Sequence, residues 1–399
     1  MVATRKEIEP EVFPFYDYKR YYLSLAVQKG DYLFISGHTA SEYDPETKKM
    51  VCKGNIAEQA GVSYQKIKLL VEAAGGSIGD VVKLTEYIAP IGNGEYQIVD
   101  EVKRKYFGDN LPAVSSIGVH NLLRPGAFME VEAVAVLGKD KQALNPEPLS
   151  PGRPTTPQAI RKGDLLFIAG QYGKDDTGKI IGEGDIVAQT EQAYRNINSL
   201  LIKAGASFAD VVKVIDYIEP AGLTRYKDSR KVRARYFRDG YPAATEVVVE
   251  NLLPEGALIE VDCIAVLGDK KKTYDIGNKL FSKATFCSPM VRKGNLIFLS
   301  SLASVDMKTG KLVDGDVVTQ MNQLFMDADK MLNIAGAAWE DVLKTVDFIA
   351  PEGGVNYRDT ANVRRQYFGE ALPASTGVFM NRLLRAGSLI QVDFVAVAD

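Results

Sequence analysis

Four sequence blocks recur in the same order three times along the chain, and this repeat constrains the fold more than any other feature. The first block reads QKGDYLFISG at 28–37, RKGDLLFIAG at 161–170 and RKGNLIFLSS at 292–301. The second reads GDVVKLTEYIAP at 79–90, ADVVKVIDYIEP at 209–220 and EDVLKTVDFIAP at 340–351. A Pro-Ala pair follows at 112–113, 242–243 and 373–374, and each repeat ends alike, with GAFMEVEAVAV, GALIEVDCIAV and GSLIQVDFVAV. A period of about 130 residues is that of a whole domain, so we predict three tandem domains.

Two polar connectors separate the repeats. The first, KDKQALNPEPLSPGRPTTP at 139–157, is rich in proline, and the second, GDKKKTYDIGNK at 268–279, is rich in lysine. Such segments are typical of linkers between domains. We therefore predict domains at 1–140, 141–270 and 271–399, called copies one, two and three below.

The composition excludes several classes of protein. Hydrophobic residues make up 46% of the chain and charged residues 25%, as in ordinary globular proteins. The net charge of −3 provides no field that would attract nucleic acid or an anionic membrane. The three cysteines, Cys52, Cys263 and Cys287, lack the spacing of a disulfide framework or a zinc site. The first residues lack the apolar core of a signal peptide, and the apolar runs are too short to span a membrane. We expect a cytoplasmic protein without metal or cofactor.

Each copy predicts the element order ββαβαββ. The runs YLFIS, LLFIA and LIFLS are typical of strands. In the first helix, Asn55, Asp185 and Asp316 stand at the N-cap, and Gly75, Gly205 and Gly336 stand where a left-handed C-cap belongs. The last strands alternate acidic and apolar residues, which indicates a sheet covered by helices on one face and by neighbouring copies on the other. The predicted fold class is α+β, with the three copies forming a single-chain pseudo-trimer.

These blocks resemble those of the Rid family, the reactive-intermediate deaminases also known as YjgF/YER057c/UK114 proteins. The resemblance covers nearly the whole chain three times. It implies a chorismate-mutase-like fold, a trimeric arrangement around a central barrel, and a small-molecule cleft at each boundary between copies. It also implies hydrolysis of enamines and imines as the family chemistry.

The chain departs from the family at the residue that follows the Pro-Ala pair. Deaminating members carry an arginine there, which binds the substrate carboxylate through its planar guanidinium. This chain has Val114, Ala244 and Ser375 instead. A tyrosine common in the family upstream of the first block is also replaced, by Leu23, Thr156 and Cys287. We therefore do not expect the usual imino-acid deaminase reaction.

The last strand supplies the candidate acid. The resemblance implies that its carboxylate orients or activates water, and the matching residues are Glu130, Glu260 and, in copy three, Gln391. A partly buried glutamate with a raised pKa is a suitable general acid or base, whereas glutamine exchanges no proton. A purely structural, hydrogen-bonded role for these acids is an equal alternative.

The strand-end motif Ser-Gly-Gln of the family contributes further candidates. It appears as Ser36-Gly37-His38 and Ala169-Gly170-Gln171, and is lost in copy three as Ser300-Ser301-Leu302. The glycine allows a ligand to approach the backbone closely. His38 is one of only two histidines, with His120, and is a candidate proton carrier, although a structural role is the commoner one. Copy three is thus the most degenerate.

The strand after the Pro-Ala pair adds the candidates Ser115, Ser116, Thr245 and Glu246. Glu246 is either a catalytic group beside Glu260 or an outward-pointing charge at the end of a strand. The second helices are basic, and we interpret most of their cations as solvated. Arg230 is the exception, because it lies where the family covers the cleft and can bind a substrate carboxylate from another side. We expect the repeated lysines Lys83, Lys213 and Lys344 to be structural.

These observations favour an enzyme that performs acid–base chemistry on an imine, enamine or amino-carbonyl group of a small polar metabolite, by hydrolysis, tautomerisation or cyclodehydration. A ligand-binding or chaperone-like protein without catalysis is the alternative. An endoribonuclease is disfavoured by the acidic pI near 5.7 and the absence of a basic stripe, and a chorismatase-like enzyme is also ranked lower. We expect a small-molecule ligand, no nucleic-acid partner, no membrane, and a monomer whose trimer interface is internal.

Overall fold

The computed structural model describes residues 3–18, 22–145, 156–276, 285–306 and 309–399. The strands of copy one are β1 Arg5–Glu7, β2 Ala26–Lys29, β3 Tyr32–Thr39, β4 Ser41–Asp44, β5 Lys49–Cys52, β6 Val81–Ile88, β7 Ala113–Gly118, β8 Asn121–Leu122 and β9 Met129–Val136. Its helices are α1 Ile56–Ala73 and α2 Val99–Phe107.

The other two copies repeat this order, except that the β4–β5 hairpin of copy one is reduced to an isolated bridge in each. The strands of copy two are β10 Lys141–Leu144, β11 Ala159–Lys162, β12 Leu165–Tyr172, β13 Val211–Ile218, β14 Ala243–Val248, β15 Asn251–Leu252 and β16 Ile259–Val266, and its helices are α3 Ile186–Lys203 and α4 Tyr226–Tyr236. The strands of copy three are β17 Lys272–Tyr274, β18 Met290–Lys293, β19 Leu296–Leu299, β20 Leu302–Ala303, β21 Val342–Ile349, β22 Ala374–Phe379 and β23 Ile390–Val397, and its helices are α5 Val317–Ala335 and α6 Thr360–Phe368.

The helix ends agree with the sequence. The side chains of Asn55, Asp185 and Asp316 each accept a hydrogen bond from a backbone N–H of the first turn. The glycines that follow the same helices adopt positive φ angles of 85°, 70° and 72°. Because other L-residues disfavour that conformation, these glycines end the helices where the repeat predicts.

Each copy forms one mixed sheet. In copy two the strand order is β10-β11-β12-β16-β13-β14, in which only β13 and β14 run parallel. Helix α3 packs on one face of this sheet, and the cores of the three copies are built in the same way. The predicted ββαβαββ order is confirmed.

Short strand exchanges join the copies in a ring. Strand β15 of copy two pairs with β7 of copy one, and β8 of copy one pairs with β22 of copy three. A single bridge between Val248 and Arg382 joins copies two and three. The pseudo-trimer is therefore present. A closed central barrel is not confirmed, because within the described residues the three sheets remain separate and are joined only by links of at most two residues.

The inner faces of the sheets meet around three buried ion pairs. Lys83 pairs with Asp262 at 2.6 Å, Lys213 with Asp393 at 2.6 Å, and Lys344 with Glu132 at 2.8 Å. Each pair joins one copy to the next. Apolar clusters that draw on all three copies lie around this charged layer. The expected structural role of the repeated lysines agrees with these contacts.

A second set of ion pairs repeats at the copy boundaries. Each joins the last lysine of β2, β11 or β18 to an aspartate of the adjacent copy. That aspartate lies directly before β21, β6 or β13, respectively. The pairs are Lys29–Asp341, Lys162–Asp80 and Lys293–Asp210. All three lysines are buried, so each ammonium depends on its partner carboxylate.

We predict that the chain is a monomer in solution, because the surfaces that would join three single-domain subunits are already used between its own copies. Sedimentation equilibrium at micromolar concentration should give a mass near 43.7 kDa. A stable species with three times that mass would contradict the prediction.

Candidate functional site

Three clefts lie at the copy boundaries, named 1–2, 2–3 and 3–1 after the copies that form them. In each, the strand after the Pro-Ala pair faces a bulge in the first long strand of the next copy. The register of β12 shifts between Ile168 and Gln171, and that of β3 shifts between Ile35 and His38. In copy three the same point separates β19 from β20. Bulges commonly re-aim side chains near functional sites, and here they place the Ser-Gly-Gln motif at the cleft.

Cleft 1–2 contains an open cavity of about 880 Å³. Ser116 of copy one and Gly170, Gln171 and Glu260 of copy two line it, so the structure brings these four predicted residues together. Val114, at the position of the family arginine, lies in the same wall.

Glu260 is the buried acid of this cavity. Its side chain is 1% exposed, and the Tyr172 hydroxyl donates to its Oε2 at 2.6 Å. A Cβ atom on Gly170 would lie 1.5 Å from Oε1, so only glycine leaves room for the carboxyl group at the bulge. Burial raises the pKa of Glu260 to about 8, although the Tyr172 hydrogen bond acts in the opposite direction. The carboxyl group is therefore mostly protonated at neutral pH.

A second buried acid lies behind the opposite wall. Glu86 accepts hydrogen bonds from Tyr64, Tyr96 and Ser116, and the Lys103 ammonium lies 3.2 Å from Oε1. The nearby Lys103 ammonium and these hydrogen bonds hold the pKa of Glu86 below its usual range despite its burial. This network fixes the orientation of Ser116 and Tyr96 in the cavity wall.

Sequence interpretation missed this network, which recurs in every copy. Copy two has Asp216 with Tyr226 and Arg233, and copy three has Asp347 with Tyr357 and Arg364. Lys103 and Arg233 are each 1% exposed, so the interpretation of the basic helices as solvated is wrong for these cations. The sequence did carry a signal for this network. A cation, an acid and a tyrosine each recur at the spacing of the repeat in all three copies.

Cleft 2–3 holds Arg230 and Glu246 of copy two against Ser300, Ser301 and Gln391 of copy three. The Gln391 amide donates to Ser301 Oγ at 2.8 Å and to the Glu246 carbonyl at 3.1 Å. Glu246 lies 3.5 Å from Arg230, and burial raises its pKa. The structure thus separates Glu246 from Glu260, which were expected side by side.

Ser115 and Thr245 lie behind the clefts, in the central layer. Ser115 is 1% exposed, accepts from Lys83 at 2.6 Å and donates to Asp262 at 2.8 Å. Its hydroxyl also accepts from the Gly170 N–H at 2.9 Å, which connects the central ion pair to the bulge of cleft 1–2. Thr245 is fully buried.

Cleft 3–1 brings Ser36, Gly37, His38 and Glu130 to face Ser375, whose backbone N–H donates to Ser36 Oγ at 2.8 Å. A Cβ on Gly37 would lie 2.1 Å from Glu130 Oε1, and burial raises the pKa of Glu130 to about 8. The acid is therefore arranged as in copy two.

The N-terminal arm, residues 3–18, covers this cleft on its copy-one side. Phe13 lies 6.4 Å from the His38 ring, Phe15 lies beneath the Lys66 ammonium, and the Phe15 carbonyl accepts from Tyr43. In copy two, the matching surface borders the open cavity. His38 is 3% exposed, and burial lowers its pKa to about 3, so its imidazole is neutral near pH 7.

Two further observations concern the described residues only. No helix there is both long and apolar enough to cross a bilayer. No group of three or more His, Cys, Asp or Glu side chains in the same ranges is arranged to hold a metal ion.

Comparisons with known proteins find the same repeat. The family described as Endoribonuclease L-PSP matches residues 18–137, 153–267 and 277–398. A RutC family protein of Pyrococcus abyssi is 40% identical over 121 residues, which are 30% of this chain and 89% of the relative. A relative from Arabidopsis thaliana named Reactive Intermediate Deaminase A, chloroplastic, is 33% identical over 144 residues, 36% of this chain and 73% of the relative. A human relative named 2-iminobutanoate/2-iminopropanoate deaminase is 28% identical over 111 residues, 28% of this chain and 79% of the relative.

Solved structures match one copy at a time. A Rid family protein of unknown function from Yersinia pestis covers 32% of this chain and 100% of its own, with 29% identity and a TM-score of 0.30. Because the family profile matches most of the chain, the chain belongs to the endoribonuclease L-PSP family, which includes the RutC and Rid proteins, and contains three tandem copies of its domain.

Proposed function

We propose that cleft 1–2 is the active site of an enzyme that acts on the C=N group of a small imine, enamine or amino-carbonyl compound, with Glu260 as the proton donor. The observation that carries the proposal is a buried glutamic acid at a backbone bulge in the wall of an open cavity, where burial raises its pKa to about 8. A carboxyl group whose pKa lies near the working pH is an effective general acid.

Hydrolysis at such a site needs one proton donor and water. Glu260 transfers its proton to the imine nitrogen, and water adds to the carbon. The resulting Glu260 carboxylate then takes a proton from the added water. The reprotonated Glu260 then gives its proton to the carbinolamine nitrogen, the C–N bond breaks, and the carboxylate takes the hydroxyl proton. Ammonia or an amine leaves, the product is a carbonyl compound, and Glu260 is again protonated. Tautomerisation would use the same acid to move a proton between nitrogen and carbon.

The cavity favours a substrate without a carboxylate. Val114 stands where the family arginine would bind a carboxylate, and the lining contains three aspartates, Asp100, Asp175 and Asp176, together with three lysines, Lys103, Lys174 and Lys203. The Lys103 ammonium, which also reaches the wall, is paired with Glu86. A substrate carboxylate would therefore find no guanidinium in the lining to bind it in a bidentate way.

A backbone donor distinguishes this cleft from the other two. In clefts 2–3 and 3–1, the N–H groups of Ala244 and Ser375 donate to the hydroxyl groups of Ser300 and Ser36. The serine is replaced by Ala169 in cleft 1–2, so no hydroxyl stands opposite Val114. A substrate oxygen or nitrogen can accept a hydrogen bond from the Val114 N–H and be held near Glu260.

The names of two relatives support the reaction class. The Arabidopsis relative is named a reactive intermediate deaminase, and the human relative is named for two imino acids. Their similarity supports chemistry at C=N groups, while the replaced arginine supports a different substrate.

Glu260→Gln should abolish catalysis, because an amide of the same shape has no proton to transfer. Neutral imines of primary amines, supplied freshly made, should be hydrolysed faster by the wild type than in buffer. The wild-type rate should fall as pH rises through about 8, where Glu260 loses its proton. Glu130→Gln is the matched control, because it neutralises the equivalent acid in the covered cleft and should keep most of the activity.

Two results would contradict this assignment. Wild-type rates in Glu260→Gln would remove the acid role, and loss of activity only in Glu130→Gln would move the site to cleft 3–1. A wild type that binds the imines without accelerating their hydrolysis would favour the alternative of a binding protein. Infrared titration of the protonated carboxyl band, compared between wild type and each variant, measures both pKa values independently of any substrate.

We predict no acceleration of 2-iminopropanoate hydrolysis above the spontaneous rate. A charge-assisted hydrogen bond to the substrate carboxylate contributes at least about 2 kcal/mol, roughly thirtyfold in rate, and Val114, Ala244 and Ser375 cannot form it. The substrate can be generated in place by an amino-acid oxidase and its decay followed with and without the protein. Rapid turnover would show that another group binds the carboxylate.

Gly170→Ala should displace the Glu260 carboxyl group and impair both activity and stability. The new methyl group would overlap the carboxyl oxygen, and such overpacking costs about 1–3 kcal/mol. Gly94→Ala is the control, because a Cβ there meets no atom within 4 Å. Urea unfolding should separate the two variants. Equal stability and unchanged activity would show that Gly170 does not position the acid.

A further inference from the structure

Cleft 2–3 contains a second cavity, of about 630 Å³, whose lining carries four cations, three of them arginines, and two carboxylates. Lys227 and Arg230 of copy two line one side, and Arg382 and Arg385 of copy three line the other. Cations therefore approach the same space from two different copies.

Arg230 and Arg382 are specific to this cleft, whereas Arg385 has a counterpart in cleft 3–1, Arg124 of copy one. At the repeat positions that match Arg230, Arg382 and Arg385, cleft 1–2 has Asp100, Asn251 and Pro254. The scaffold is the same, so three substitutions place arginines on a rim that has none in cleft 1–2.

The acidic side chains of this cavity already have partners. Glu246 lies 3.5 Å from both Arg230 and Arg233, and Asp327 lies 3.1 Å from Lys330. The Arg382 guanidinium, in contrast, forms no hydrogen bond or ion pair with any described residue, and Arg385 donates only to the Gly310 carbonyl, at 3.4 Å. Most of the donors on the copy-three side are thus available to a ligand.

The same cleft lacks the catalytic acid. Gln391 stands at the position of Glu260, and its amide is held by Ser301 and by the Glu246 carbonyl. A ligand bound there would meet arginines but no proton donor equivalent to Glu260.

We propose that cleft 2–3 binds a small dianion, a dicarboxylate or a phosphate group, between Arg230 of copy two and Arg382 and Arg385 of copy three, and does not convert it. Guanidinium groups match the geometry of both carboxylate and phosphate oxygens. We expect the ligand to carry two negative charges, because the arginines that would bind it lie on opposite walls of the cavity. This site is separate from the proposed active site and does not depend on it.

Isothermal titration of the full-length chain with malonate and with inorganic phosphate tests the proposal, with uncharged malonamide as the neutral control. Saturable binding of malonate, phosphate or both supports the site, and the stronger of the two identifies the source of the anion. Affinity should fall as potassium chloride rises from about 50 to 300 mM, because salt screens the rim charges. Malonamide should give no saturable heat.

Variants locate the binding. Arg382→Asn, which introduces the residue of copy two, and Arg385→Ala should each weaken binding roughly tenfold or more, equal to about 1.4 kcal/mol. Lys68→Ala removes an exposed cation that lines neither cavity and should leave binding unchanged. The proposal is overturned if neither anion binds, if malonamide binds as well as malonate, or if both arginine variants bind like the wild type. None of these outcomes bears on Glu260 in cleft 1–2.

Discussion

Three buried lysine–carboxylate pairs hold the copies together, and the rest of the molecule depends on them. Lys83, Lys213 and Lys344 each reach a carboxylate on the last strand of the next copy. A buried charge that loses its partner costs about 3–5 kcal/mol, so a copy cannot turn or slip relative to its neighbour without a large penalty. Ion pairing inside apolar clusters therefore sets the relative position of the sheets, and the clefts follow from that position.

The central layer also reaches the proposed active site. Ser115 contacts Lys83 and Asp262 on one side and the N–H of Gly170 on the other. Gly170 in turn leaves the space that the Glu260 carboxyl group occupies. One short chain of contacts thus connects the interface that stabilises the ring with the acid that we propose to be catalytic, and it keeps that acid in a fixed position.

The fold was largely predictable from the sequence, because each copy carries its own strand, cap and turn signals. The repeat also shows which copy lost the acid, since Gln391 is visible in the alignment of the blocks. Which residues share a cleft was not predictable. Glu246 and Glu260 belong to one copy but face different neighbours, and that depends on the direction in which the copies follow one another around the ring.

Burial was the second limit on prediction. The helical period predicts that Lys103 and Arg233 lie on a basic face, but whether that face meets water or a buried acid depends on the adjacent sheet. His38 illustrates the same limit. Its place in the strand-end motif predicts exposure to the cleft, whereas a segment far from the motif, the N-terminal arm, removes it from water.

The arm has a consequence that concerns symmetry. In a trimer of identical subunits, any extension occurs three times, so a segment able to cover one cleft would cover all of them. Joining the copies in one chain breaks that rule, because a single arm acts at one boundary and leaves the others open. When the three copies are fused in one chain, one cleft can serve a structural role while the other two clefts diverge independently. A homotrimer cannot do this, because one sequence encodes all three of its clefts.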